Sequence, residues 1–520
     1  MIGGRSHHRI NRVGAVNLER LIDLYVAAYA LIAAALSLYG VHAYALTYLY
    51  FRFKHRASPP PSFPANPPAV TVQLPIYNEL YVVERLLAAA TALRYPRDRL
   101  EIQVLDDSTD ETVDRTCELV ARYAAQGIDI VHVRRPDRIG FKGGALRNGL
   151  VTAKGELIAI FDADFVPPPD FLERAVPHFA DPRLGLVQAR WGHLNAEFSA
   201  LTRGQAVALD GHFLIEQTVR NRAGAFMNFN GTAGIWRRRA IEEAGNWQDD
   251  TLTEDLDLSY RAQLEGWRFL FCPDLVCPAE LPGEVNAFKA QQSRWARGSL
   301  ETARKLLPRL FRAELSWFTK AQAAIHLTNH LVYPLLLVLA LSTLPSLIIQ
   351  HQSPAHRPLF RLLTALVIAS FGHPLLYAVA EREITPAWRR RLLVLPVIVA
   401  GGMGIAINNT LALIAAWRGA PGVFVRTPKY HLIARSGRWD DKRYRPRCSR
   451  LAGLELAFAA YIAAAATYAL ATGSYAIVPF LLLYLSGFLY IGLLSVCHAQ
   501  RSGRLDRAPL DLSVSVAAEA

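Results

Sequence analysis

The chain has 520 residues, of which 52% are hydrophobic, and a formal net charge of +13. This length argues against a single compact soluble domain, and two parts are expected. The hydrophobic residues concentrate in a few long runs outside the middle of the sequence, as in a membrane protein. The five cysteines show no paired CxxC spacing, which argues against a zinc site and a disulfide framework.

The Arg and Lys residues gather beside the hydrophobic runs, at residues 52–56, 304–312, 389–391 and 435–447. Basic residues that flank membrane spans mark the cytoplasmic face and meet anionic lipid headgroups. This placement favours a lipid bilayer over nucleic acid as the partner of the positive charge.

The first hydrophobic run, Leu21–Phe51, carries one charge near its start, Asp23. It is longer than the roughly 20 residues that cross a bilayer as a helix. No small-residue cleavage site follows a short apolar stretch, so the run predicts an uncleaved anchor and not a signal peptide. We therefore expect residues 1–57 to form an N-terminal region with one transmembrane helix.

Residues 58–314 are expected to form a folded domain, entered through the proline-rich stretch Ser58–Pro68. From Ala69 onward, short β-rich runs alternate with helical patterns, which favours an α/β domain with a mainly parallel sheet. The β-rich runs are Val70–Leu74, Glu101–Leu105, Ile128–Val133 and Leu157–Phe161. Ligands of such sheets bind beyond the carboxyl ends of the strands.

Hydrophobic runs return in residues 315–500, ahead of a tail at 501–520. The five candidate spans are His326–Gln350, Leu359–Ala380, Leu392–Trp417, Leu451–Thr472 and Tyr475–Val496. The third contains three glycines and the pair Asn408–Asn409, so its latter half is predicted to lie in the interface. If the folded domain and the basic loop 418–450 share one side, an even number of crossings separates them. We expect two full crossings and one interfacial or re-entrant piece.

Two carboxylates, Asp162 and Asp164, directly follow the predicted strand Leu157–Phe161. At a strand end they can hold Mg²⁺ or Mn²⁺, because such a cation takes one or two carboxylates and completes its shell with phosphate and water oxygens. Two exposed aspartates in an ordinary turn are the alternative.

Two further motifs can face a nucleotide. Asp106 and Asp107 also follow a predicted strand. Residues 108–110 are good helix N-caps, so the two aspartates can precede a capped helix start, bind the base of a nucleotide, or do both. Lys142 opens a helix that begins with Gly143 and Gly144, where backbone N–H groups and the helix dipole can meet a diphosphate. A tight turn explains the glycines equally well.

Glu254 and Asp255 lie in a polar stretch before a helical pattern. Asp255 is the candidate general base, because burial and the nearby carboxylates would raise its pKa enough to hold a proton. A solvated helix start is the alternative.

Gln291, Arg294 and Trp295 fall at positions i, i+3 and i+4, which places them on one face of a helix. Arg can grip phosphate oxygens, Trp offers a flat face to a sugar ring, and Gln can bond to hydroxyls. A membrane-surface helix with a Trp anchor is the alternative.

In order and spacing, five motifs resemble the D, D, D, QxxRW set of processive family-2 glycosyltransferases. They are Gln73-Leu-Pro-Ile-Tyr-Asn-Glu79, Asp106-Asp107, Asp162-Ala-Asp164, Thr253-Glu-Asp255 and Gln291-x-x-Arg-Trp295. Gln188-Ala-Arg-Trp191 and Phe229-Asn-Gly-Thr-Ala-Gly234 narrow the likeness to the cellulose-synthase-like A group of β-mannan and glucomannan synthases and its bacterial relatives. The resemblance implies a glycosyltransferase-A (nucleotide-diphospho-sugar transferase) α/β domain inserted between transmembrane α-helices.

The resemblance also implies residue roles. Nucleotide-sugar binding is expected of Pro75, Tyr77, Glu79, Asp106 or Asp107, Lys142 and Asp162, and metal binding of Asp162 and Asp164. Asp255 is the expected base, with Glu254 beside it. The acceptor and diphosphate are expected to meet Phe229, Asn230, Gly231, Thr232, Gln291, Arg294, Trp295, Arg426 and Lys429. Phe424–Lys429 resembles the family's gating loop, FxVTxK, although Arg426 stands where that pattern has valine and no glycine follows Lys429.

The implied activity is inverting transfer from GDP-mannose or UDP-glucose to a growing mannan, glucomannan or β-glucan. A non-processive enzyme that glucosylates a lipid is the alternative. Intramembrane charges are scarce, which disfavours a transporter or scaffold. No nucleic-acid partner is expected, and protein partners stay open. The Ala- and Arg-rich usage indicates a multi-pass protein of a bacterial inner membrane with a cytoplasmic catalytic domain; a plant source would imply the Golgi membrane.

Overall fold

The computed structural model describes residues 5–56, 61–420, 422, 424–440, 442–444 and 451–501, with side chains described from residue 18 to 500. Cys448 and residues 502–520 of the predicted tail lie outside the described residues, as do parts of the proline-rich linker and of the basic loop. The other four cysteines form no disulfide.

The folded domain contains one seven-stranded sheet in the order β3-β2-β1-β4-β6-β5-β7. The strands are β1 Val70–Ile76, β2 Leu100–Asp106, β3 Ile130–Val133, β4 Leu157–Ile160, β5 Leu184–His193, β6 Gly234–Arg237 and β7 Arg268–Ala279. The four predicted strands are confirmed, and β1 to β4 pair in parallel. The short β6, which no periodicity predicted, is antiparallel to β4 and β5, so the sheet is mixed.

Helices cover the sheet and continue into the apolar part of the chain. The α-helices are α1 Arg5–Phe53, α2 Val83–Thr91, α3 Thr112–Ala124, α4 Phe141–Thr152, α5 Phe171–Ala175, α6 Ala200–Asp210, α7 Thr218–Arg222, α8 Arg238–Glu243, α9 Glu254–Leu264, α10 Val285–Arg312, α11 Trp317–Thr328, α12 Val332–Gln352, α13 Arg357–Thr364, α14 Gly372–Ile384, α15 Trp388–Arg391, α16 Leu395–Gly404, α17 Ala406–Trp417, α18 Leu451–Ala471 and α19 Val478–Arg501. A π-helical turn, Gly211–Gln217, joins α6 to α7.

The central strand β1 shows why the sheet forms. All of its residues except Pro75 are buried, because helices cover both faces of the sheet. Val70, Val72 and Leu74 pack into an apolar core on one face. Gln73 on the other face is also buried and donates its Nε2 hydrogen to Gln103 Oε1 at 3.1 Å. A strand that is buried on both faces reads as a nearly continuous apolar run, which is why the sequence located it.

Five helical segments among the described residues are long and apolar enough to cross a membrane. They are Leu18–Phe53, Trp317–Gln352, Pro354–Ile384, Leu451–Ala471 and Tyr475–Gln500. The run 388–417 forms a sixth span only if α16 and α17 count as one, because the chain bends by 41° between them. The chain therefore bends within this run, at Ile405, and the interfacial position of its latter half stays a prediction.

The long helix α10 joins the two parts of the molecule. It begins at Val285, where the Glu284 carboxylate accepts hydrogen bonds from the N–H groups of Asn286 and Ala287. It then packs along α17 and touches α9, α11 and α19. One helix thus packs against both α9 of the folded domain and the apolar helices.

Candidate active site

One cavity lies at the carboxyl ends of β1 and β4, and α10 forms part of its wall. It brings together most of the residues singled out in the sequence: Pro75, Tyr77, Glu79, Asp107, Lys142, Asp162, Asp164, Asn230, Gly231, Glu254, Asp255, Gln291, Arg294, Trp295, Arg426 and Lys429. These residues are spread over more than 350 positions of the chain, so their convergence is a property of the fold.

Three of the predicted site residues lie behind the cavity wall. The buried Asp106 carboxylate contacts His132 Nε2 at 2.8 Å and accepts the Ser108 N–H at 2.8 Å. Phe229 is fully buried against tryptophan rings. Thr232 is also buried, and its Oγ1 accepts the N–H of Asp162 at 2.8 Å. Of the two neighbouring aspartates, Asp107 is therefore the one that faces the cavity.

The carboxylates of Asp162 and Asp164 each face a lysine. Lys142 Nζ lies 2.5 Å from Asp162 Oδ1, and Lys429 Nζ lies 2.7 Å from Asp164 Oδ2. Burial raises the pKa of Asp162, and the Lys142 charge opposes that rise. The partly buried Asp162 and the buried Asp164 thus each have a cation that offsets the desolvation of the carboxylate.

Lys142 lies in the first turn of α4, which begins after Gly140 with φ +72°. Its Nζ also donates to the carbonyl oxygen of Gly231 at 2.9 Å. Burial disfavours the ammonium, yet the charges of Asp162, Glu254 and Asp255 raise the pKa of Lys142. Lys142 is therefore a fixed cation at a helix N-terminus, where an anion is also favoured.

Asp255 lies in the first turn of α9 and lines the same cavity. Its Oδ1 accepts the N–H of Leu256 at 2.8 Å. Burial and the adjacent Glu254 charge raise the pKa of Asp255 to about 7. Gly231 brings the loop 229–234 close: a Cβ at this glycine would lie 3.0 Å from Asp255 Oδ2. A carboxylate whose pKa lies near 7 can accept a proton at neutral pH.

The predicted shared face of Gln291, Arg294 and Trp295 is present on α10, and all three line the cavity. Arg294 Nη1 donates to the carbonyl oxygen of Val425 at 3.1 Å, and its guanidinium lies 4.5 Å from the centre of the Phe424 ring. The helix thus supports the loop that follows α17.

That loop, Phe424–Lys429, covers one end of the cavity. Arg426 donates to the carbonyl oxygens of Tyr77, at 2.9 Å, and of Asn78, and it lies 3.4 Å from Glu79 Oε1. Burial raises the pKa of Glu79 to about 7. The arginine that departs from the gating-loop pattern therefore ties the loop to the segment that directly follows β1.

Sequence reasoning missed two groups in this cavity. The Arg138 guanidinium lies 3.3 Å from the centre of the Tyr77 ring, and both line the cavity. Glu280, at the end of β7, accepts the N–H of Tyr430 at 2.7 Å and holds Arg85 at 3.3 Å. The basic stretch 134–138 offered a signal for Arg138. Glu280 lies in no recognisable motif.

The residues present fit a divalent cation that is shared with a diphosphate. Asp162 and Asp164 supply two carboxylates, and the described residues contain no cluster of three or more His, Cys, Asp or Glu side chains that could hold a metal. Mg²⁺ and Mn²⁺ sites of this kind take their remaining oxygens from substrate phosphates and water. The donor set therefore suits a cation that arrives with a nucleotide.

Residues 67–298 match the family model described as "Glycosyltransferase like family 2". They form a family-2 glycosyltransferase domain. The chain is 46% identical over 267 residues to glucomannan 4-beta-mannosyltransferase 2 of Arabidopsis thaliana, covering 50% of each chain. It is 47% identical over 244 residues to a probable glucomannan 4-beta-mannosyltransferase 7 of Oryza sativa subsp. japonica, covering 46% of this chain and 42% of the relative. The chain thus matches about half the length of these relatives.

Among solved structures, a mannosyltransferase of Pyrobaculum calidifontis in complex with GDP-Man and Mn²⁺ is similar in fold. The TM-score is 0.52 at 22% identity, and the match covers 76% of this chain and all of the other. The family-2 domain therefore has the glycosyltransferase-A fold that the motifs implied.

We expect Mn²⁺ to bind the family-2 domain at least about tenfold more tightly when GDP or UDP is present, because two carboxylates alone leave most coordination positions to water. Electron paramagnetic resonance of free Mn²⁺ measures this. Asp162→Asn should abolish the enhancement. Asp98→Asn, which alters an 80% exposed carboxylate, is the control and should leave it intact. Equal Mn²⁺ affinity with and without nucleotide would contradict the shared site.

Proposed function

We propose that the chain transfers mannose from a nucleotide diphosphate sugar to a growing β-linked glycan, with inversion at the sugar carbon. The observation that carries the proposal is the placement of the raised-pKa carboxylate Asp255 in one cavity with Asp162 and Asp164. The names of the curated relatives support mannose as the sugar. GDP-mannose is therefore the first donor to test and UDP-glucose the second.

In the proposed reaction, Asp255 removes the proton from the attacking acceptor hydroxyl as the bond to the donor diphosphate breaks. Asp162 and Asp164 would hold a divalent cation, which supplies positive charge to the leaving diphosphate. Lys142, Lys429 and Arg294 add fixed positive charge around the same position. Attack in line with the leaving group converts an α-linked donor into a β linkage.

The proposed acceptor side is the α10 side of the cavity. Trp295 and Gln291 line it, and α10 continues along the apolar helices. A glycan that leaves in that direction would enter the membrane part of the chain. The division into an N-terminal region, residues 1–57, a catalytic domain, 58–314, and a membrane region, 315–500, belongs to the same proposal.

We expect kcat/KM for transfer to fall as the pH drops below about 7, because Asp255 must be deprotonated to accept the proton and its pKa is raised to about 7. Asp255→Asn should lower kcat by about 10²- to 10⁴-fold. Glu254→Gln is the informative partner variant. Because the Glu254 charge raises the pKa of Asp255, its removal should move the acid limb to lower pH. An unmoved limb, or an active Asp255→Asn variant, would contradict Asp255 as base.

The product decides between the two enzymatic hypotheses. Purified protein in nanodiscs should convert radiolabelled GDP-mannose, with Mg²⁺ or Mn²⁺, into polymer that an endo-β-mannanase digests, and Asp255→Asn should give none. UDP-glucose in place of GDP-mannose, with a β-glucanase, tests the second donor. Label found only in the lipid extract would replace the polysaccharide synthase with the glycolipid-forming alternative.

The proposed location is a bacterial inner membrane, or the Golgi membrane for a plant source, with the catalytic domain and loop 424–440 on the cytoplasmic side. The contacts of Arg426 and Lys429 with the catalytic domain support a shared side. Spans Trp317–Gln352 and Pro354–Ile384 would then cross fully, and the bent pair α16 and α17 would not.

Impermeant maleimide labelling checks this arrangement. In sealed right-side-out vesicles, Ser353→Cys, between the two spans, should gain one adduct over wild type, whereas Ser436→Cys should gain none until the membrane is opened. Both positions lie in loops of the described chain. Adducts on both variants in sealed vesicles would refute the even number of crossings.

A further inference from the structure

The π-helical turn Gly211–Gln217 lies beside the loop 229–234, and nothing above gives it a role. His212 and Gln217 lie five positions apart in the sequence. In an α-helix, residues five apart point about 140° away from each other, because each residue turns the helix by about 100°. In a π-helix the hydrogen bonds run from i to i+5, which brings residues five apart to nearly the same side. The π-turn thus allows His212 and Gln217 to reach one target.

That target is the side-chain amide of Asn230. Gln217 Nε2 lies 2.6 Å from Asn230 Oδ1, and His212 Nε2 lies 3.0 Å from Asn230 Nδ2. The amide orientations follow from the backbone: Gln217 Nε2 also donates to the carbonyl oxygen of Asn228 at 2.8 Å, so this end of Gln217 is the nitrogen. The Asn230 atom that faces it is then the oxygen, and Asn230 Nδ2 donates to His212 Nε2.

This arrangement requires the His212 tautomer that carries its hydrogen on Nδ1. Glu216 supplies the acceptor, because its Oε2 lies 3.1 Å from His212 Nδ1. Arg220 holds the same carboxylate oxygen at 2.9 Å. Although burial opposes ionisation, Arg220 and His212 hold the pKa of Glu216 well below its usual range. A hydrogen bond from one imidazole nitrogen to a carboxylate determines what the other nitrogen can accept.

Asn230 is also the member of this network that lines the cavity, next to Gly231 and Asp255. A carboxamide has two N–H hydrogens and two acceptor lone pairs. Gln217 and His212 use one of each, which leaves one N–H and one lone pair for a hydroxyl in the cavity. A hydroxyl bound there would share the cavity with the carboxylate of Asp255, which lies close to the neighbouring residue Gly231.

We infer that His212, Gln217 and Glu216 are positioning residues that hold the Asn230 amide in the one orientation that binds the acceptor sugar beside the base. The inference rests on the proposed function, since it concerns the acceptor of that transfer. The inference also explains the π-turn, because an α-helical turn would direct Gln217 away from Asn230. The donor diphosphate, which Lys142 and Lys429 face, is not part of this network.

A matched pair of substitutions at His212 separates the two imidazole contacts. The His212→Gln side chain can place an amide oxygen near the Nε2 position and so still accept from Asn230. The His212→Asn side chain can place an amide nitrogen near the Nδ1 position, which preserves the Glu216 contact and loses Asn230. Both substitutions are uncharged amides, so charge and polarity are matched.

We expect His212→Asn to raise the KM for an acceptor oligosaccharide about tenfold, with the donor KM within about twofold of wild type, because one orienting hydrogen bond is lost. His212→Gln should stay within about threefold of wild type for both substrates. Glu216→Gln, which preserves shape, should behave like His212→Asn, because an amide can donate to His212 Nδ1 and stabilise the opposite tautomer. Equal acceptor KM values for His212→Asn and His212→Gln would overturn the inference.

Hydrogen–deuterium exchange of segment 228–234 tests the same network without catalysis. Exchange in this segment should be faster in His212→Asn than in His212→Gln, provided that the two variants have similar melting temperatures. If wild type transfers sugar from no donor, the proposed function fails, and the exchange comparison still decides whether His212 orders the loop. Identical exchange in the two variants would refute the positioning role. If neither His212 variant folds, Glu216→Gln against wild type gives the same comparison.

Discussion

The close pairing of carboxylates with cations in one buried cavity is the constraint on which the site depends. Five of its acidic side chains come from the loops after β1 and β4 and from α9: Glu79, Asp162, Asp164, Glu254 and Asp255. Burying so many carboxylates is costly unless cations face them. Lys142, Lys429 and Arg426 face Asp162, Asp164 and Glu79 at 2.5, 2.7 and 3.4 Å, and the Lys142 charge opposes the raised pKa values of Glu254 and Asp255. A donor diphosphate would add negative charge to a cavity that has little spare positive charge, so we expect a divalent cation to enter with it.

The apolar helices also affect this cavity, because they fix the position of α10. Lys289 and Glu455 form a buried ion pair at 2.6 Å between α10 and α18, and Asn408 of α17 donates to the Lys289 carbonyl oxygen at 2.9 Å. A buried ion pair adds little net stability, but it is satisfied in only one register of the two helices. Gln291 follows half a turn later. Contacts with α17 and α18, which lie outside residues 67–298, therefore help to set the position of the α10 cavity face.

The sequence predicted those features that depend on local patterns. The strand before Asp162 is a continuous apolar run, and the spacing of Gln291, Arg294 and Trp295 is helical, so both were located correctly. Features that depend on distant partners were not predictable. Glu280 accepts a hydrogen bond from Tyr430, which lies 150 positions away in the sequence. The antiparallel strand β6 is only four residues long. In the π-turn the backbone hydrogen bonds span five residues instead of four, within a segment that is otherwise α-helical. Hydrophobic periodicity does not reveal such a change.

The loop at 424–429 shows how a departure from a family pattern becomes intelligible once its contacts are known. A valine at position 426 would leave Glu79 without a cation, and burial already raises the pKa of that carboxylate to about 7. Arg426 instead bridges Glu79 and two backbone carbonyl oxygens, so it fastens the loop by contacts that a diphosphate does not need. Lys429, by contrast, binds Asp164, which is one of the two carboxylates that suit a cation. Asp164 would help to hold a cation, and Lys429, whose Nζ also donates to the Glu280 carbonyl oxygen at 2.6 Å, would face the diphosphate beside it, while Arg426 keeps the loop in place. Arg426 thus fastens the loop, and Lys429, three positions later, is the residue that would bind phosphate.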